Sequence, residues 1–134
     1  MAGKGEKESR VFDLEERLVH FAVRVMHVVE KLPDTRVGRH IAGQLVDCGT
    51  SPAPNYGEAQ AAESRDDFVH KVKIALKELR ETHVWLRMIR LMELLKPERL
   101  DPLLAENDEL IRILFASATT ARRNQSAARK GRGR

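Results

Sequence analysis

Residues 49–86 read GTSPAPNYGEAQAAESRDDFVHKVKIALKELRETHVWL, and this block decides the fold. It opens on Pro52, Pro54 and a short Ala-rich run. Ser64 and Asp67 then stand three residues apart, a spacing typical of a helix N-cap. From there the seam of a helix follows at alternating steps of four and three: Phe68, Val72, Ala75, Leu79, Thr82, Leu86 and Ile89. The block therefore predicts a long amphipathic helix that ends at Lys96-Pro97.

The same alternating spacing precedes the block. It predicts a first helix from Asp13 that Pro33 ends, with the apolar seam Leu14, Leu18, Phe21, Val25, Val28 and Leu32. Asp13 and Glu16 resemble a capping box at its start. Such a seam indicates that this helix packs lengthwise against others.

Two further helices complete the pattern. Asp34 or Thr35 can cap a second helix, residues 36–62, in which the two prolines predict a break or sharp kink near 50–56 and a helical turn that resumes at Glu58. Asp101-Pro102 predicts the start of a fourth helix. Its predicted apolar face comprises Leu103, Leu104, Leu110, Ile111, Leu114 and Phe115.

The connections between these helices are short, so neighbouring helices are expected to run antiparallel. The sequence thus predicts an all-α fold, an antiparallel up-and-down four-helix bundle. One domain of residues 13–121 is expected between a flexible N-terminus, residues 1–12, and a disordered basic tail, residues 122–134. At 134 residues, with 42% hydrophobic but only 4% aromatic residues, the chain can build one aliphatic core.

Composition also bears on location and charge. No apolar run approaches the length of a membrane span, no signal peptide is visible, and Cys48 is the only cysteine, which together predict a cytoplasmic protein without membrane contact. The net charge of +4 is unevenly distributed. Residues 110–134 hold seven basic and no acidic residues, whereas residues 1–109 hold 17 basic and 20 acidic ones. This asymmetry indicates a basic, partner-binding tail.

The block also resembles a known family. Its order of residues is similar to that of small four-helix-bundle proteins which include the intervening-sequence-encoded proteins of bacterial large-subunit ribosomal RNA genes. The matching positions are Asn55, Glu58-Ala59, Ser64, Asp67-Phe68, Ile74-Ala75, Glu78, Glu81 and Trp85-Leu86. The resemblance implies a bundle that forms rings, as homopentamers, and it carries over no active site. A related branch, the accessory proteins of diversity-generating retroelements, binds nucleic acid and a reverse transcriptase. The prolines at 52 and 54 depart from the pattern of relatives.

Two basic features predict contact with RNA or DNA. The first is a row on one face of the third helix: Lys73, Lys77, Arg80, Arg87 and Arg90. The second is the tail, with Arg122, Arg123, Arg129, Lys130, Arg132 and Arg134. Cations that neutralise phosphates release counterions and give affinity without sequence preference. A solvated helix face and a solubilising tail remain open alternatives, and no aromatic residue interrupts the tail to provide a stacking platform.

The sequence favours a protein without catalytic residues, metal or cofactor. No Glu-x-x-His motif is present, as a di-metal site in a helical bundle would need. Cys48 falls on the apolar spacing, where a free thiol acts as a small hydrophobe. Trp85 is interpreted as a core residue or an interface anchor, and Glu58, Glu78 and Glu81 as helix-surface or subunit-contact residues. The predicted function is thus a non-enzymatic, homo-oligomeric nucleic-acid-binding bundle. The alternative is a structural adaptor that scaffolds a protein partner, such as a reverse transcriptase.

Overall fold

A computed structural model describes the backbone of residues 2–132 and the side chains of residues 14–131. Described residues outside the short connections are helical, and none form a strand. The helices are α1 (Ala2–Lys31), α2 (Arg36–Thr50), α3 (Pro52–Gln60), α4 (Arg65–Leu91) and α5 (Pro97–Arg132). Since α2 and α3 are two halves of one kinked element, the predicted all-α four-helix bundle is confirmed. None of the described helices combines the length and apolar character of a membrane span.

The helices lie at the four corners of a square when α2 and α3 are taken as one element. Both α1 and α4 pack against α2, α3 and α5, whereas no Cα atoms of the described parts of α1 and α4 come within 8 Å of each other. These two helices therefore lie on one diagonal of the bundle. The ion pairs between α4 and α5 show an antiparallel arrangement, because Arg90 contacts Asp101 while His83 contacts Asp108. This packing brings one side of α4 beside one side of α5 over most of their lengths.

The kink lies where the prolines predicted it, but the helix resumes earlier than expected. Pro52 is the first residue of α3, so that Pro52 and Pro54 occupy its first turn. Backbone N–H groups there have no partner within a helix, and proline therefore costs little. Asn55 Nδ2 donates to the carbonyl oxygen of Ser51 at 2.9 Å and to its hydroxyl at 2.8 Å, which ties the kink together. The prediction that helix resumes only at Glu58 is wrong.

Two of the predicted caps are confirmed. The Thr35 hydroxyl accepts from the Gly38 amide at 3.0 Å, and the Ser64 hydroxyl accepts from the Asp67 amide at 3.1 Å. The predicted capping box at Asp13 is wrong, because the backbone of α1 is helical from Ala2. The predicted flexible N-terminus, residues 1–12, lies outside the residues whose side chains are described.

The end of α4 and the start of α5 also differ from prediction. α4 ends at Leu91, five residues before Lys96, in a turn where Glu93 has a φ of 55°. The Glu93 amide bonds to Arg90 O and the Leu94 amide to Ile89 O, both at 3.2 Å, which is a Schellman motif. Glycine usually occupies this left-handed position. Because Glu93 occupies it here, the sequence gives no signal that the helix ends. α5 then begins at Pro97 rather than at Asp101-Pro102.

The core confirms most of the predicted seams. Fully buried side chains include Leu18, Phe21 and Val25 of α1 and Val72, Leu79 and Leu86 of α4. Two close fits also shape the core. Gly49 lies so near α1 that an added Cβ would stand 2.5 Å from Val25 Cγ1. Asn107, fully buried on α5, can bond with its amide to Leu79 O at 3.1 Å and to the His83 amide at 3.2 Å, which fixes α5 against the backbone of α4.

The basic tail is helical where disorder was predicted. α5 continues to Arg132, and Asp66 at the start of α4 accepts from Gln125 at 2.5 Å and from Arg129 at 3.5 Å. Residues 121–130 are rich in alanine and arginine, both strong helix formers. Local propensity and these contacts to Asp66 together continue the helix, which places the tail's cations at defined positions on α5.

Candidate nucleic-acid interface

The predicted basic row lies on the outer face of α4. Lys73, Lys77 and Arg80 are exposed and recur at steps of four and three, which on a helix places them above one another. Arg87 continues the row one further heptad along and is also exposed. Arg90 is different, because its Nε donates to Asp101 Oδ1 at 3.0 Å, which neutralises its charge. Four of the five predicted cations are thus presented to solvent.

A cation of the tail joins this row. Because α4 and α5 are antiparallel neighbours, Arg122 on α5 comes beside Lys73 and Lys77 on α4. Together they border a groove of about 480 Å³. Its remaining lining is Leu76, Arg80, Phe115, Ala118 and Thr119. The structure therefore unites the two basic features, which lie about 40 residues apart in the sequence, in one place; we call it the basic groove.

The cations of the basic groove are exposed and unpaired, although Lys77 also interacts at longer range with Glu78. Within residues 14–131, Lys73, Lys77, Arg80 and Arg122 make no ion pair or hydrogen bond through their side chains. Some cations outside the groove are paired, as Lys71 is with Glu58 at 2.8 Å. Four unpaired cations around one concave surface create a positive potential that attracts anions and that salt weakens.

Phe115 was missed as a site residue. The sequence placed it in the apolar face of the fourth helix, but it is 55% exposed and forms part of the groove. The prediction of a buried Phe115 is wrong because the core of α5 follows Leu103, Asn107, Leu110, Leu114 and Ala118, one position away from Phe115. A signal was present in the sequence, since Phe115 precedes Arg122 by seven residues, which places both on one side of a helix.

The rest of the tail extends the positive surface. Arg122 and Arg123 also line a second, shallower groove of about 380 Å³ with Lys130. Arg129 Nη2 lies 3.5 Å from Asp66 Oδ2, and both side chains of this ion pair are exposed. The side chains of Arg132 and Arg134, predicted to bind nucleic acid, lie outside the described residues.

Most family-motif residues serve the fold in the structure. Asn55 ties the kink, and Ser64 caps α4 through the Asp67 amide. Glu58 pairs with Lys71, linking α3 to α4, and this hydrogen bond raises the pKa of Lys71. Phe68 is half-buried against the core. These roles explain why the block encodes a bundle without specifying a chemistry.

The remaining motif residues lie where α4 faces α2. Trp85 is half-buried, packs edge-to-face against His40 at a centroid distance of 5.8 Å, and donates to Glu81 at 3.4 Å. Burial, reinforced by repulsion from Glu81, raises the pKa of Glu78. Trp85 thus contacts residues of its own chain, and the acidic pair lies close enough to the basic row that the charge of Lys77 partly offsets the rise in the pKa of Glu78.

The described residues contain neither a reactive thiol nor a cluster of metal ligands. Cys48 is fully buried, and burial raises the pKa of its thiol to about 11. A thiol in this environment is a poor nucleophile at neutral pH. Within residues 14–131 no three His, Cys, Asp or Glu side chains are grouped closely enough to hold a metal ion.

A further groove of about 800 Å³ lies on another side of α5, where Leu14, Tyr56 and Phe68 form part of its wall. It includes Arg17, whose guanidinium forms a two-pronged ion pair with Glu106 at 2.7 and 3.1 Å. Arg65 is the other cation of its lining and has no ion pair among the described residues. One unpaired cation attracts an anion more weakly than the four of the basic groove do.

Comparison with known proteins agrees with the fold. The model of the family described as 23S rRNA-intervening sequence protein matches residues 12–116. A crystal structure of a protein of unknown function from the S23 ribosomal protein family of Bacteroides thetaiotaomicron is 30% identical, with a TM-score of 0.74. The similarity covers 78% of this chain and 97% of that one. A comparison with curated proteins finds no match.

Proposed function

The chain belongs to the 23S rRNA-intervening sequence protein family, and within it we propose a non-enzymatic role: the basic groove binds the phosphates of RNA or DNA. The observation that carries the proposal is the convergence of four unpaired cations, three from α4 and one from α5, on one groove. Release of counterions from neutralised phosphates supplies the affinity. The lone buried cysteine is in keeping with a cytoplasmic setting.

The salt dependence of binding tests this proposal. Fluorescence anisotropy with short labelled RNA and DNA strands would give the dissociation constant over a range of salt. Each phosphate neutralised on a single strand contributes about 0.7 to the slope of log K against log salt. Lys77→Gln and Arg122→Gln should each lower the slope by at least about that amount.

Lys96→Gln is the matched control, because it removes the same charge from an exposed position in the turn between α4 and α5, outside the groove. Far-UV circular dichroism would establish that all three variants fold. Absence of salt-sensitive binding by the unaltered protein would overturn the proposal, and so would an equal loss from Lys96→Gln.

We also propose that the protein is a homo-oligomer, a ring and specifically the homopentamer that the family resemblance implies. Two exposed apolar stripes support this. One is Val19, Val23 and Met26 on α1, and the other is Val84, Met88 and Leu91 on α4. Contact between two different surfaces of neighbouring copies is head-to-tail, and such contacts form a ring when the rotation from copy to copy closes. Light scattering should give a pentamer that Leu91→Lys dissociates.

The adaptor function is a second candidate, favoured by the same stripe on α4, where Leu91 is 82% exposed. A protein partner, such as a reverse transcriptase, would then occupy the surface that a second copy covers in a ring. A monomer in light scattering would contradict the ring and favour the adaptor. Oligomers that Leu91→Lys dissociates would favour the ring.

A further inference from the structure

Phe115 is an anomaly among the large side chains near the basic groove. It projects from α5 with 55% of its surface exposed, although Leu114 and Ala118 on the same helix are buried. A large aromatic side chain left in contact with water often marks a binding surface. Here it lies among Lys73, Lys77 and Arg122. An aromatic ring among unpaired cations is the combination that proteins use to bind strands of nucleic acid.

We propose that Phe115 is a stacking platform for an unpaired base, so that the basic groove selects single-stranded over double-stranded nucleic acid. The inference rests on the proposed function and names its substrate class. A double helix keeps the faces of its bases stacked inside and offers the groove only phosphates. A single strand offers both phosphates and a free base face, and therefore gains from Phe115 as well as from the cations.

The arrangement of the groove suits this division of roles. The cations come from both walls, with Lys77 and Arg80 on α4 and Arg122 on α5, so a backbone that follows the groove meets positive charge on either side. The groove's other lining residues include Leu76 and Ala118, which offer no hydrogen bonds to a base. The Thr119 hydroxyl donates to the Phe115 carbonyl at 2.9 Å. Apart from the Lys and Arg side chains, which we assign to the phosphates, the lining offers no free side-chain donor, so stacking should tolerate any base.

The positive surface is also long enough to bind a short single strand of nucleic acid. From Phe115 to Lys130, α5 rises about 22 Å at 1.5 Å per residue. Arg122 borders both the basic groove and the shallower groove of the tail, so the two grooves adjoin. At about 3.4 Å per nucleotide in a stacked strand, this path accommodates about six nucleotides.

The test compares a labelled single strand with a blunt-ended duplex formed by that strand and its complement, using full-length protein and fluorescence anisotropy at fixed salt. Stacking on an aromatic side chain strengthens binding by about 5- to 150-fold per base. Phe115→Ala should weaken binding of the single strand by a factor in that range and leave binding of the duplex within about twofold. Phe115→Trp should retain single-strand binding, because its ring also stacks.

Phe115→Leu separates stacking from mere hydrophobic contact, since leucine keeps apolar surface but has no ring face. It should behave as Phe115→Ala does. Single-strand binding unchanged in both the Ala and Leu variants would overturn the inference. An equal loss for the single strand and the blunt-ended duplex would overturn it too.

Light scattering on the same variants excludes another occupant of the groove. If Phe115→Ala changes the number of copies in the oligomer, Phe115 contacts a second copy of the chain and the stacking role is refuted. The two proposals fail in different ways. If the unaltered protein binds neither probe, the proposed function itself fails. If it binds both probes in a salt-sensitive manner that Phe115 does not affect, only the stacking inference fails.

Discussion

The close approach of α1 and α2 at Gly49 gives a sharp prediction about stability. In Gly49→Ala the new Cβ would lie 2.5 Å from Val25 Cγ1 and 3.1 Å from both Cβ and Cγ2 of the same side chain. Carbon atoms in contact normally stand about 3.5–4.0 Å apart. Val25 is fully buried and β-branched, with one strongly preferred rotamer in a helix, so it cannot turn away. The helices must therefore separate by about 1 Å.

Gly43→Ala is the matched control for this substitution. Both glycines lie in α2, but a Cβ at Gly43 meets nothing within 4 Å. Gly43→Ala should therefore raise the free energy of unfolding by about 1 kcal/mol through helix propensity alone. Overpacking of a core costs about 1–3 kcal/mol. Gly49→Ala should thus be less stable than Gly43→Ala by about 1–3 kcal/mol.

A double-mutant cycle with Val25→Ala isolates the clash. The single Val25→Ala change should cost about 2 kcal/mol, from two lost methyl groups and the cavity that they leave. In Val25→Ala/Gly49→Ala the new methyl group occupies part of that cavity, so the pair should be more stable than the sum of the single effects by about 1–3 kcal/mol.

Urea denaturation followed by circular dichroism, at one protein concentration throughout, measures these differences, since oligomerisation makes stability depend on concentration. Equal stability of Gly49→Ala and Gly43→Ala, or additive effects in the cycle, would refute the reasoning.

Three further predictions concern single side chains. Glu93→Gly should raise the free energy of unfolding by about 1 kcal/mol in urea denaturation, because glycine adopts the φ of 55° without strain; an unchanged or lower stability would contradict this. Because burial raises the pKa of Glu78 from 4.5, its carboxylate destabilises the native state above the raised pKa, and this penalty disappears as the pH falls through that pKa. Glu78→Gln should therefore raise stability at neutral pH and lose this advantage below pH 4.5; a gain independent of pH would be inconsistent with that cause. The pKa of Cys48, raised from 9.0 to about 11, lowers its thiolate fraction about 100-fold, so iodoacetamide should label the native thiol at least that much more slowly than the unfolded one. Mass spectrometry over time measures both rates, and similar rates would show that the thiol is accessible.

The sequence determined the features that depend on neighbours along the chain. The alternating steps of four and three identified the core of α1 and α4, because residues at these spacings share one face of a helix. Thr35 and Ser64 indicated the starts of two helices, and Pro52 indicated the kink. Where a local signal was missing or ambiguous, the prediction failed. Glu93 ends α4 without the expected glycine, and Asp101-Pro102 lies inside α5, which begins at Pro97.

Only the tertiary structure decided the candidate site. The basic groove requires α4 and α5 to pack side by side with a fixed rotation about each helix axis, and no local pattern specifies that rotation. Core packing sets it, with the buried Asn107 amide against the α4 backbone between Leu79 and His83. This rotation brings Arg122 beside Lys77 and leaves Phe115 outside the core. The sequence thus determined the bundle and its charges, whereas the packing of two helices decided where those charges meet.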